Sequence, residues 1–111
     1  MTVPTNNENW LIDEGHAILE RKADQGEEAL RPIERLIRCW WVADYGMRNA
    51  GDLDTALDLD SRFLDEGRQL ASDLNLPLAE QAFAGGKESL EATFFDRFEA
   101  ISDELRQAYG R

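Results

Sequence analysis

His16 is the only histidine and Cys39 the only cysteine among 111 residues, whereas 23 aspartates and glutamates face 12 lysines and arginines. Metal chemistry is therefore short of ligands. One histidine and one cysteine cannot build a zinc set, and a di-iron bundle would need paired Glu-x-x-His motifs that are absent. The run Asp52, Asp54, Asp58, Asp60 has the composition of a calcium loop without its register. A loop begun at Asp52 would put Leu57 and Phe63 where the required glycine and glutamate belong, and one begun at Asp54 would put Leu59 and Asp65 there. No metal and no cofactor are expected, and the run reads as a solvated helical face.

His16 could accept a phosphoryl group if this were a phosphorelay-like helical domain. Such domains resemble one another in carrying a lysine and a glycine shortly after the histidine, whereas Ala17, Ile18, Leu19 and Glu20 follow His16. Phosphoryl transfer also wants cations nearby, and His16 stands beside Asp13, Glu14 and Glu20. A structural histidine is the simpler reading. Cys39, between Ile37 and Trp40-Trp41, reads as a small buried hydrophobe rather than a nucleophile. Carboxylate pairs are too abundant to mark acid–base catalysis, so no enzyme is expected. Arg31, Arg35 and Arg38, three and four residues apart, share one side of a helix and are expected to pair with acids of the same molecule.

The elements that position these groups read as helices throughout. The central one lies within Leu30 to Gly51: Pro32 suits a first helical turn, Gly51 suits the position past the end, and Ile33, Leu36, Ile37, Trp40, Trp41 and Met47 keep the spacing of a buried stripe. One tryptophan of the pair must be largely buried. Before it, residues 1 to 7 read as a frayed tail with a cap at Asn6 or Asn7, followed by a helix from about Glu8 to about Lys22. Gly15 inside that helix predicts either a close neighbour or a weak helix. The segment from Ala23 to Arg31 reads as a connection that turns helical from Glu27. A third helix, capped by Asp52 or Asp54, is predicted to run some five turns to Leu74, ended by Asn75 and Pro77. A short helix follows from Pro77 through Phe83 to Gly85-Gly86, and a last one spans about Lys87 to Tyr109. The fold class is all-α: a single domain, residues 1-111, forming an antiparallel helical bundle of four main helices plus one short helix.

With 42% apolar residues and ten aromatics the chain is not a disordered one, despite a net charge of −11. That charge disfavours direct binding of nucleic acid and favours cationic partners. The lone cysteine, the absence of a signal-peptide pattern at the start and the lack of a long apolar run make a cytoplasmic protein without membrane contact the expectation. Residues 1 to 51 carry nine acids and six bases, and residues 52 to 111 carry fourteen and six, so the second half supplies most of the field. Asp54, Asp58, Asp65 and Glu66 are the predicted protein-binding surface, a ridge of carboxylates on one side of the third helix. Duplex DNA presents a comparably dense line of phosphates, so such a ridge can compete for a DNA-binding groove.

The motif Glu34-Arg35, Leu36-Ile37, Trp40-Trp41, Asp44, Asn49-Ala50-Gly51 is similar to the start of a small bacterial all-helical domain family that includes a DNA-mimic protein, which binds a repressor-type transcription factor. The layout of Leu30 to Tyr109 resembles that family, with Ala50 in place of its first glycine and Asp52 in place of its phenylalanine. The resemblance implies a non-enzymatic, all-helical binding protein. The function expected is thus an acidic protein-binding module that masks a basic DNA-binding protein; an immunity-type inhibitor of a nuclease toxin is the nearest alternative, and the His16 phosphorelay domain the more distant one.

Overall fold

The computed structural model describes residues 6 to 110, which form α1 (Asn6–Gln25), a 3-10 turn (Glu27–Ala29), α2 (Pro32–Ala50), α3 (Asp54–Leu59), α4 (Phe63–Asp73), α5 (Pro77–Ala84) and α6 (Gly86–Tyr109). Every regular element among the described residues is helical. α2 is the hub and packs against α1, α3, α4 and α6, while α5 bridges α4 and α6.

The punctuation of α2 is as its sequence predicts. Pro32 occupies the first turn, and Gly51 closes the helix in the left-handed conformation (φ 76°), its N–H donating to the Met47 carbonyl at 3.0 Å. Trp40 is the buried member of the tryptophan pair. Its ring lies 4.8 Å from Phe94 and within 6.2 Å of Phe83 and Phe98, and its indole N–H donates to the Ser102 hydroxyl at 3.1 Å. The polar end of the ring is thereby satisfied inside an aromatic core. Trp41 is only partly buried and faces α1, where a Cβ on residue 15 would overlap its ring. Close approach, not helix weakness, therefore explains Gly15.

Two expectations are corrected. Asn6 and Asn7 are not frayed: both lie in α1, and Asn7 is buried. Its amide donates to Glu99 Oε1 at 2.8 Å and Asp103 Oδ1 at 3.0 Å, and its oxygen accepts from Arg106 Nη1 at 3.0 Å, which ties the start of α1 to α6. Asn7 thus spends its polar atoms on α6 rather than on a cap; the remainder of the expected tail, residues 1 to 5, lies outside the described residues. The long third helix is two helices, so six helices replace the expected four and one. The break falls at Asp60, whose backbone is extended (φ −150°, ψ 99°) and whose carboxylate accepts the Arg62 N–H at 3.0 Å. Short polar side chains compete in this way with helical hydrogen bonds. The break turns Asp60 onto Arg38 at 3.0 Å and sends Phe63 into the core.

Candidate functional site

The predicted binding residues fall on two helices. Asp54 and Asp58 lie on α3, Asp65 and Glu66 in the first turn of α4. Asp54, Asp58 and Asp65 are exposed. Asp58 and Asp65 form no ion pair among the described residues, and Asp54 takes the Lys87 ammonium at 3.2 Å while remaining 71% exposed. Glu66 is withdrawn from this surface, with its two oxygens 3.8 Å from Arg35 Nε and 3.5 Å from Arg38 Nη2. The continuous four-residue ridge is thus corrected to three exposed aspartates on either side of the Asp60 break, because the helix that would align them is interrupted.

The arginines behave as expected. Arg35 reaches Glu27 and Glu66, the buried Arg38 reaches Glu27, Asp60 and Glu66, and Arg31 lies 3.5 Å from Glu34. These pairs fasten α2 to the 3-10 turn and to α4. Beside them a cleft of about 690 Å³ is lined by Arg35, Arg62, Arg68, Glu27, Asp65 and Asp73 among others, with charges of both signs.

A second charge cluster was not anticipated. Glu34, 3% exposed, is met by the Arg21 guanidinium, by the Tyr109 hydroxyl at 3.0 Å and by the Arg31 backbone N–H at 2.9 Å. Burial pushes its carboxyl up, but the Arg31 N–H and then the Arg21 and Tyr109 hydrogen bonds outweigh it, and the group sits below the ordinary glutamate value. One signal for it stands in the sequence: a glutamate three residues after Arg31, at the start of an apolar stripe, occupies the place of a capping-box acid.

Asp52, Asp54 and Glu91 bring carboxylate oxygens together at the base of α3. Those oxygens already serve the fold. Asp52 accepts the Asp54 N–H at 3.0 Å, Glu91 accepts the Leu53 N–H at 2.7 Å, and the Lys87 ammonium lies 2.9 Å from Glu91. The Leu53 N–H, followed by Lys87, holds the Glu91 carboxyl below its usual range.

His16 is exposed on α1 with its ring edge-on to Trp41 at 6.2 Å, and the exposed Asp13 and Glu20 stand one turn to either side. Cys39 is fully buried, and burial pushes its thiol up, which leaves it inert as a nucleophile. No helix among the described residues is long and apolar enough to cross a membrane. No known family, curated protein or solved structure matches the chain.

Proposed function

We propose that this chain is a non-enzymatic acidic module that binds a basic protein and masks its nucleic-acid-binding surface in the manner of a DNA mimic. The observation that carries the reading is that acids without an ion pair outnumber such cations among the described residues. Of the eleven lysines and arginines among the described residues, Arg21, Arg31, Arg35, Arg38, Arg48 and Lys87 are held by acids of the same chain, and Lys22, Arg62, Arg68, Arg97 and Arg106 form no ion pair. Meanwhile the exposed Asp13, Glu20, Asp58 and Asp65 have no cation opposite them among the described residues. Like charges left on a surface repel one another and lower stability, so a surface retained for folding alone gains nothing from them. A cationic partner relieves that repulsion, and the attraction speeds encounter. The same surface would serve an inhibitor that covers a basic nuclease, and the identity of the captured protein separates the two.

The test is affinity capture from the source cell at low and at high salt, followed by competition with duplex DNA. Capture of a basic DNA-binding protein that is lost at high salt, and exclusive with DNA, is the expected result. A variant carrying Asp54→Asn, Asp58→Asn and Asp65→Asn should capture it more weakly and with a flatter salt dependence. Unchanged capture by that variant at low salt would sink the proposal.

A further inference from the structure

Two clasps tie α1, α2 and α6 together, one at each end of α1. At its start, Arg48 of α2 takes the Glu8 carboxylate of α1 at 2.6 Å and the Asp44 carboxylate of its own helix at 2.6 Å, with its guanidinium 4.8 Å from the centre of the Phe98 ring and 5.3 Å from that of Phe95 on α6. At its end, Glu34 of α2 is held by Arg21 of α1 and by the Tyr109 hydroxyl of α6. α1 therefore lies antiparallel along α2 as a strap fastened at both ends, by a cation at one and by an anion at the other.

A proton acts differently on the two ends. Glu34 sits below the ordinary glutamate value because three donors surround its charge, so it gives that charge up only where the fold itself is failing. Asp44 is buried as well, but Arg48 is its sole hydrogen-bond donor among the described residues. Burial pushes its carboxyl up, the nearby Glu8 charge adds to that push, and the pull of Arg48 falls short of cancelling them. A carboxyl raised by the fold takes its proton while the chain is still folded, since the folded state then binds the proton more tightly than the unfolded one. The other charged groups at this end are Glu99, Asp103 and Arg106, within three turns of Phe95 along α6, where they hold Asn7. On the α3 side Ala56 meets Gly46, and Asp54 is turned to Lys87.

We infer that Asp44 and Arg48 form a proton-operated clasp: uptake of one proton by the Asp44 carboxylate within the folded chain slackens the Asn6–Asp13 end of α1, while the Arg21–Glu34 end stays tied. The proton turns a charge-assisted hydrogen bond into one to a neutral acceptor, about half as strong. Arg48 then keeps Glu8 alone as a charged partner, and its side chain, 33% exposed, is free to turn toward water. With that link weakened, the start of α1 depends on Asn7 and on the burial of Trp10 and Leu11. The clasp is independent of what the acidic surface binds.

The test is an NMR titration of the full chain from neutral pH down through the ordinary aspartate range, following carboxyl carbons together with the protection of backbone amides against exchange. Asp44 is expected to titrate above the exposed Asp58. As it does, protection of the Trp10 to Asp13 amides should fall by about fivefold while that of the Ile18 to Lys22 amides holds. Asp44→Asn, a neutral side chain of the same shape, should show the lowered protection of Trp10 to Asp13 already at neutral pH and lose its pH dependence there. An Asp44 that titrates no higher than Asp58, or a loss of protection at both ends of α1 together, overturns the inference. So does a folded Asp44→Asn variant as well protected as the wild type at neutral pH. If that variant does not fold, the wild-type titration decides alone. A variant with Glu99→Gln and Asp103→Asn should keep the Asp44-linked step; its disappearance there would move the proton sensor to the Asn7 contacts and overturn the assignment to Asp44.

Discussion

Glu34 and Asp58 carry the same ionised group in opposite surroundings. At the start of α2 a buried carboxylate is met by a guanidinium, a phenol hydroxyl and a backbone N–H. On α3 an exposed carboxylate has no ion pair among the described residues. In the first place removal of charge strands donors that were built around it; in the second it removes repulsion. The chain thus separates its acids into those that hold helices together and those that only shape the outward field, and stability and binding should respond to them independently.

The largest expected effect lies in the enclosed region. Trp40→Ala should cost about 3–5 kcal/mol in denaturant unfolding, since it empties the centre of the Phe83, Phe94 and Phe98 cluster and leaves Ser102 without its donor. Trp41→Ala should cost less because that ring is partly exposed. Equal losses for the two would remove the distinction between the two sides of α2.

Glu34→Gln should come next, at about 1.5–3 kcal/mol, the range for hydrogen bonds to a charged group. The loss stays below that of a wholly enclosed ion pair because Arg21, left behind, is 30% exposed and can hydrate. The pH dependence has a definite sign. The folded Glu34 carboxyl lies below its unfolded value, so its contribution is fully present above the ordinary glutamate range and is lost as pH falls through the depressed folded value. Acid unfolding curves of wild type and Glu34→Gln should therefore converge at low pH. Parallel curves would mean that the carboxylate charge plays no part.

Gly15→Ala should cost about 1–2 kcal/mol, because the added methyl must displace the Trp41 ring, which has room to give on its exposed side. A stabilised variant would mean that helix propensity outweighs the contact and that α1 is less closely seated than its geometry indicates. The smallest effect belongs to the outer region. Neutralising Asp54, Asp58 and Asp65 to asparagine should leave the melting temperature unchanged or raise it. A marked fall would place those aspartates among the structural acids and erase the comparison with Glu34.

By itself the sequence determined the helical class and most helix ends, because these depend on local chemistry. Pro32 and Pro77 start helices where a missing N–H is harmless, and Gly51 and Gly85-Gly86 lie where the chain must turn. It also determined that one tryptophan of the pair is enclosed and that Arg31, Arg35 and Arg38 find partners within the chain. Tertiary structure alone decided which acids those arginines would take. The apolar stripe from Leu53 to Leu74 lapses at Asp60 and Ser61, but that lapse does not say that Asp60 leaves the helix to reach Arg38, a partner 22 positions earlier in the chain. Glu66 carries the same local signature as Asp65 beside it, yet one turns inward and the other outward, since the answer lies in the neighbouring α2 rather than in α4. Periodicity records which face of a helix is apolar. It holds no information about which charge on another helix will arrive at the edge of that face, and this is what divides the candidate binding surface from the ion pairs beneath it.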